Sequence, residues 1–235
     1  MWGADRCALH TEREWEATMW QLDAIAGFLD TVVRSSGLHA TVLVPGESLL
    51  YEVNEQLADF YRASGRGYLN SDEHLALDMQ LGLSSRSKVV VVMDGSGRLV
   101  STVRVTKYPF EGESLVPTEV NVQAFAGHFE LSRLVSWHGD EFRTLSTALA
   151  LGTALLLASA DGARGLVALA RTPQQRVFAK FGLKPTHASS VEVSIRENGN
   201  YWFLEAPISS VVEAAHAYAE QLLNTVSLLA PSSTL

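Results

Sequence analysis

Apolar residues recur at three- and four-residue spacing through residues 12–35, where Trp15, Met19, Leu22, Ile25, Ala26 and Leu29 share one face and Gly37 follows. That spacing predicts an amphipathic helix with a glycine stop. Residues 41–44 form a short β-branched run ended by Pro45-Gly46, and 50–63 reads as helix again, closed by Ser64-Gly65-Arg66-Gly67. The N-terminal third thus predicts helices and loops with little strand signal. From Lys88 the pattern changes. Residues 88–93 (KVVVVM) are nearly all β-branched, as in a strand buried on both faces. The turn cluster Asp94-Gly95-Ser96-Gly97 joins it to an alternating run over 98–106, giving a hairpin. A third strand is predicted over 129–137, a long Ala- and Leu-rich helix over 143–160, a fourth strand over 165–170, and a short helix over 172–181 before Gly182. Residues 191–195 and 201–205 flank an Asn-Gly turn as a second hairpin. A closing helix over 209–229 leaves 230–235 as a frayed tail.

The order hairpin, strand, helix, strand, helix, hairpin implies a parallel pair in the middle with antiparallel strands on either side. The expected fold class is therefore α/β with a mixed sheet. With 235 residues, no repeat and no linker, one domain is expected at about 150 residues per domain. Its parts are a helical N-terminal part (1–87), a central mixed sheet (88–206) and a C-terminal helix and tail (207–235).

A hydrophobic fraction of 47% with 19% charged residues suffices for a substantial core, and a net charge of −8 argues against a wide basic face for duplex nucleic acid. The single cysteine, Cys7, excludes an intramolecular disulfide and a cysteine metal cluster. Residues 1–16 lack the apolar core of a signal peptide, and the most apolar run, 148–158, falls short of the roughly 20 residues of a membrane span. A cytoplasmic protein without a membrane span is expected.

Four stretches carry a resemblance. They are Ser101-Thr-Val-Arg104-Val-Thr106 with Pro109 beyond it, Glu130-Leu-Ser132-Arg133-Leu134, Gly162-Ala-Arg-Gly165-Leu-Val-Ala-Leu169, and Arg176-Val-Phe178-Ala-Lys-Phe-Gly182-Leu183. In this order they resemble the GCN5-related N-acyltransferase (GNAT) fold, and within it the acyl-homoserine-lactone synthases and the long-chain N-acyl amino acid synthases. The second stretch is close to the Glu-x-Ser-Arg-Phe signature of the lactone synthases. The resemblance spans residues 89–185 and is poor before them.

The resemblance implies an N-acyltransferase that moves a medium or long acyl chain from an acyl carrier protein or acyl-CoA thioester to the amine of an amino acid or derivative. No tightly bound cofactor is implied, only acyl-phosphopantetheine as co-substrate. Two rivals are a CoA-dependent acetyltransferase acting on a small amine and a catalytically silent binding subunit of the same fold.

Departures from the family pattern bear on the choice. The Arg/Gln-x-x-Gly-x-Gly/Ala phosphate turn would here be Arg143-Thr-Leu-Ser146-Thr-Ala148, with serine at the first glycine. Such a turn works through bare backbone N–H groups at a helix start, and a side chain there suits a single pantetheine phosphate better than a diphosphate. Phe178 stands where many members carry a tyrosine that protonates the leaving thiolate; with a thiol pKa of about 8.5 the thiolate departs tolerably without it.

Acyl transfer to an amine needs a base, an oxyanion site and alignment. Glu130 is the candidate base, with Arg133 beside it as a catalytic residue. Arg104 could hold an acceptor carboxylate in a bidentate fork, and Ser132, Leu134 and Phe178 complete the substrate contacts. Backbone N–H groups of Leu134, Val135 and Ser136 could bind the thioester oxygen and pantetheine amides, with Arg143, Thr144 and Ser146 near the phosphate. Leu134, Leu149, Val167 and Phe178 are expected to line an apolar chain cleft. The alternative for Glu130, Arg104 and Arg133 is a structural ion pair between adjacent strands, and for Arg143 a solvated surface position. Arg164, Arg171, Arg176, Lys180 and Lys184 could dock an acidic carrier protein. His128 and His138 lack a third metal ligand, Asp72, Glu73 and Asp78 read equally as an acceptor-facing cluster or a solvated helix start, and Trp15, Trp20 and Phe28 read as core rather than as a fatty-acyl pocket.

Overall fold

A computed structural model describes residues 12–63, 85–114, 120–137, 140–187, 189–192 and 200–229. Among the described residues, eight strands form a single sheet: β1 (His39–Leu43), β2 (Ser87–Met93), β3 (Leu99–Lys107), β4 (Phe129–Ser136), β5 (Gly165–Arg171), β6 (Lys184–Pro185), β7 (Val191–Glu192) and β8 (Asn200–Pro207). The α-helices among the described residues are α1 (Glu12–Ser36), α2 (Ser48–Ala63), α3 (Asp140–Ala160), α4 (Thr172–Ala179) and α5 (Ile208–Leu229). The strand order is β1-β2-β3-β4-β5-β8-β6, with β7 also on β8. β4 and β5 are parallel and the other pairs antiparallel. This is the mixed sheet expected from the order of elements.

The α1–α3–α5 layer covers one face of the sheet. Ile25, Phe28 and Val32 of α1, Leu145, Leu149 and Leu155 of α3, and Val211 and Val212 of α5 join Val90, Val92, Val103 and Leu166 in one core. The other face is divided. α2 places Val53, Leu57 and Tyr61 over Val89 and Val91 of β2. Phe110, Val120 and Val122, from the segment between β3 and β4, cover Val167 and Phe203. β2 is buried on both faces, with Val90, Val91 and Val92 all at 0% exposure, as its unbroken apolar run requires.

Several boundaries differ from the sequence reading. Residues 39–43 are a strand, paired with 89–93 of β2, so the N-terminal third does contribute to the sheet. The β-branched run alone is too short to announce this, and its partner lies far along the chain. Trp20, expected in the core, is 63% exposed and rests on His216 of α5 with ring centroids 5.1 Å apart. α1 turns its Ile25–Phe28–Val32 stripe inward and leaves Met19 and Trp20 beyond the edge of the layer. Phe28 is buried as expected. The side chain of Trp15, the cluster Asp72, Glu73 and Asp78, His138, most of the second hairpin's turn and the tail 230–235 lie outside the described residues.

α3 passes the length and hydropathy test for a membrane span over Arg143–Ala160. Its buried residues, Leu149, Leu151 and Leu155 among them, are packed in the core of a sheet protein. Its end is set by Gly162, whose φ of +79° is a conformation that favours glycine. The Ala163 N–H then bonds back to the Ala158 carbonyl at 2.9 Å. The chain enters β5 directly, which brings His128 against Gly165. His128 Nε2 lies 3.6 Å from Glu205 Oε1. Burial pushes the imidazole pKa down, and the Glu205 carboxylate opposes that shift. Among the described residues no cluster of three or more His, Cys, Asp or Glu side chains could hold a metal.

Candidate functional site

β4 is irregular at the point where the site forms. Before residue 133, Phe129 and Leu131 face the α1–α3–α5 core, while Glu130 and Ser132 alternate to the other side. The register with β3 then shifts: Thr102 pairs with Val135 but Arg104 with Ser132. One residue of β3 therefore opposes two of β4, which is a β-bulge. Arg133 sits in it with φ +53°, a left-handed conformation costing roughly 1–2 kcal/mol for a residue with a Cβ. Beyond the bulge the alternation is reversed, so that Leu134 enters the main core and Val135 the cluster under α2.

The bulge puts Ser132 and Arg133 on the same face, where both meet Glu111. Arg133 Nε donates to Glu111 Oε1 and Oε2 at 3.3 and 3.2 Å, and its Nη2 donates to Oε1 at 3.2 Å. Ser132 Oγ donates to Glu111 Oε2 at 3.2 Å. Glu111 is in turn held by Glu130, whose Oε2 accepts the Glu111 N–H at 2.7 Å and whose Oε1 accepts the Gly112 N–H at 2.9 Å. Gly112 permits this approach, because a Cβ there would lie 2.8 Å from Glu130 Oε1. Glu111, Glu130, Arg104 and Arg133 are all buried, at 1, 2, 4 and 8% exposure. Charges this deep are tolerated only when paired and hydrogen-bonded, and the network meets that condition for the Glu111–Arg133 pair. Glu111 was not among the sequence candidates. Its partner is 22 residues away, and no local pattern announces such a pairing.

The parallel pairing of β4 with β5 is brief, Phe129 with Leu166 and Glu130 with Val167. Past that point β5 continues along β8 and the edge of β4 is left open. A cleft of about 160 Å³ occupies the gap. Leu134, Val135 and Ser136 form its floor, Arg143 and Thr147 one wall, Arg171, Pro173, Gln174 and Val177 the other, and Phe60 of α2 a cap. Trp137 N–H bonds to the Val100 carbonyl on the β3 side, so by antiparallel alternation the main-chain groups of Ser136 face away from β3, toward the cleft. The Leu134 carbonyl receives Gln174 Nε2 from across the cleft at 3.3 Å. That amide side chain also accepts the Arg171 N–H at 3.4 Å, closing the start of α4.

The sequence candidates thus fall into two groups. Leu134, Val135, Ser136 and Arg143 line the cleft. Glu130, Ser132 and Arg133 belong to the buried network, with Arg104 opposite Ser132 in the register. The remaining assignments need correction. Phe178 and Leu149 are packed in the main core at 3 and 1% exposure, and Val167 is packed on the opposite face, so none of the three lines the cleft. Val177, one residue earlier, supplies the apolar wall. α3 begins at Asp140, not at Arg143. Its unbonded first-turn amides therefore precede Arg143, and Ser146 lies within the helix. Ser146 is fully buried and its hydroxyl donates to the Arg143 carbonyl at 3.2 Å. Neither Ser146 nor the exposed Thr144 is among the cleft-lining residues. Arg171 and Gln174 were missed as lining residues, although Arg171-Thr-Pro173 does carry a readable helix-start signal.

No protein-family model matches the chain, and no curated protein matches it. Solved structures do. FeeM, an N-acyl amino acid synthase from uncultured soil microbes, superimposes with a TM-score of 0.57 at 14% identity, covering 74% of this chain and 92% of that one. The acyl-homoserine-lactone synthase LasI gives 0.52 at 13% identity over 74% and 91%. BjaI, a CoA-dependent acyl-homoserine lactone synthase solved with MTA, gives 0.52 at 14% identity over 78% and 90%. The chain has the GNAT-like fold that these proteins share.

Proposed function

We propose that this protein is an N-acyltransferase that takes an acyl group from a phosphopantetheine thioester and delivers it to the amine of an amino acid or derivative. The observation that carries this reading is the cleft opened where β4 and β5 part, with main-chain groups of β4 turned into it and a cation at its rim. Such a cleft takes a pantetheine arm as an extra strand would be taken, through its amides. Arg143, beside the first-turn amides of α3, meets the phosphate. The similarity to N-acyl amino acid and acyl-homoserine-lactone synthases supports the same reaction class.

The chemistry follows from the placement. A neutral amine attacks the thioester carbonyl, forming the C–N bond. The oxyanion is stabilised by the Ser136 N–H, a donor already fixed by the strand. Collapse breaks the C–S bond, and the thiolate leaves without help from Phe178, taking a proton from solvent. The amine proton passes to Glu130 at the closed end of the gap, directly or through water. Glu130 already accepts two backbone amides, which fix the position of its carboxylate. Arg104 would hold the acceptor's carboxylate on the same face of the sheet.

The carrier-protein donor is supported by exposed cations on α4 and just after it, Arg176, Lys180 and Lys184. Such a donor places the reaction in the cytoplasm. A medium or long chain would have to displace core side chains such as Leu149 and Phe178, so chain length is read directly from the assay. The protein is mixed with acyl carrier proteins, and separately with acyl-CoAs, carrying two to sixteen carbons, together with a pool of amino acids, homoserine and S-adenosylmethionine. Amine-dependent conversion to the free thiol, followed by intact mass, is the expected result; no conversion with any donor would leave the silent binding subunit. Reversing both Arg176 and Lys180 to Glu should raise the apparent KM for carrier on the order of tenfold while leaving the KM for the amine unchanged. An unchanged carrier KM removes this face as the docking surface.

A further inference from the structure

We infer that the buried Glu111–Arg133 pair is a conformational clamp: Glu111 is a positioning residue that holds Arg133 in the left-handed region and so keeps the β4 bulge that turns Ser136 into the cleft. Three observations carry this. Arg133 is the only residue other than glycine with positive φ among the described residues, at a place where glycine would be free of strain. Its guanidinium makes a multidentate contact with one carboxylate, at 3.2–3.3 Å, and that carboxylate is 1% exposed. Glu111 is itself anchored by two routes, through its own N–H on Glu130 and through Ser132 Oγ. The pair therefore draws the Arg133 side chain toward a fixed point on the face that also holds Ser132, as the bulge requires.

The consequence for the site is geometric. Because strand side chains and main-chain groups alternate with a period of two, loss of the extra residue would reverse everything after it. Leu134 would leave the core, and Val135 rather than Ser136 would present its N–H to the cleft. The energy of the ion pair is thus used to hold a register, and the residues that profit are the next three along the strand.

The activity part of the test rests on the acyl-transfer reading; the stability part does not. Two double variants are compared, Glu111→Gln with Arg133→Gly and Glu111→Gln with Arg133→Ala. Both lack both charges and differ only in the ease of positive φ. The glycine variant is expected to unfold at the higher temperature and to keep at least about tenfold more kcat than the alanine variant, whose KM for the thioester rises because its β4 edge is displaced. It should also exceed Glu111→Gln alone, which keeps the left-handed Arg133 but lacks the carboxylate that receives its guanidinium. Equal kcat and equal Tm in the two double variants, or failure of both to fold, overturns the clamp. Wild-type turnover is measured alongside. If the wild type releases no thiol from any donor, the acyl-transfer reading fails, and the order of the unfolding temperatures still decides the clamp.

Discussion

Glu130→Ala is expected to lower thiol release by a factor of about 100 to 10,000 if Glu130 takes the amine proton, and to destabilise the fold as well. The stability part follows from two hydrogen bonds. Glu130 is 2% exposed and accepts the N–H groups of Glu111 and Gly112 at 2.7 and 2.9 Å. Without the carboxylate both donors are buried with no acceptor, at about 1–3 kcal/mol each. The segment that carries Glu111 is then released, and with it the anchor of Arg133. Glu130→Gln separates the two roles. The glutamine keeps the volume and one acceptor, but its NH2 group faces an N–H donor, so one bond is lost rather than two. If Glu130 is the base, Gln is as inactive as Ala. If Glu130 only anchors the loop, the Gln variant keeps most of its activity, and the loss across the series follows Tm. Equal activity of Gln and wild type would end the base assignment.

Gly165→Ala should be among the most damaging single substitutions in the core. A Cβ on Gly165 would lie 2.3 Å from His128 Cδ2, 2.4 Å from His128 Nε2 and 2.5 Å from the Ala206 carbonyl oxygen. The imidazole could swing aside at the loss of its contact with Glu205. The carbonyl cannot, because Ala206 is the register partner of Leu166 in the β5–β8 ladder. Overpacking of this kind costs about 1–3 kcal/mol and more where backbone must move. Because backbone must move here the cost is taken as about 3 kcal/mol, and at about 2–4 °C per kcal/mol for a chain of this size a fall in Tm of roughly 6–12 °C is expected. Gly152→Ala is the informative contrast, since its nearest contacts, at 2.8 and 3.2 Å, are the terminal methyls of Leu29. These can rotate, and alanine gains helix propensity of about 1 kcal/mol over glycine. A Tm for Gly165→Ala equal to that of Gly152→Ala would show that β5 and β8 are looser than their register implies.

Wherever burial is one-dimensional, the structure was legible in the chain. The run 88–93 reads as a strand shielded on both faces, and β2 is that strand. The helix ends near Gly37, Gly162 and Gly182 fall where glycine is met, because positive φ is a local requirement. Even the bulge left a trace: in FELSRLVS the inward apolar positions are odd at Phe129 and Leu131 and even at Leu134, a change of parity that an unbroken strand does not show. β1 was less legible, since an edge strand of five residues needs a partner some fifty positions away to become a strand at all. Trp20 was misjudged because a helical stripe says which residues align, not how far the neighbouring helix extends.

The sequence by itself determined the order of elements, the parallel pair at the centre of a mixed sheet and the short list around residues 130–136, because periodicity and turn chemistry act within a few residues. Only the tertiary structure decided which of those residues share a site. It drew Leu134, Val135, Ser136 and Arg143 to the cleft with Arg171 and Gln174, sent Phe178 and Ser146 into packed interiors, and joined Arg133 to a glutamate that no motif marks. The reason is physical: a buried charge is satisfied by whatever lies within hydrogen-bond reach in space, and a strand edge is open only if its neighbour has turned away. Neither condition is written at any single position of the chain.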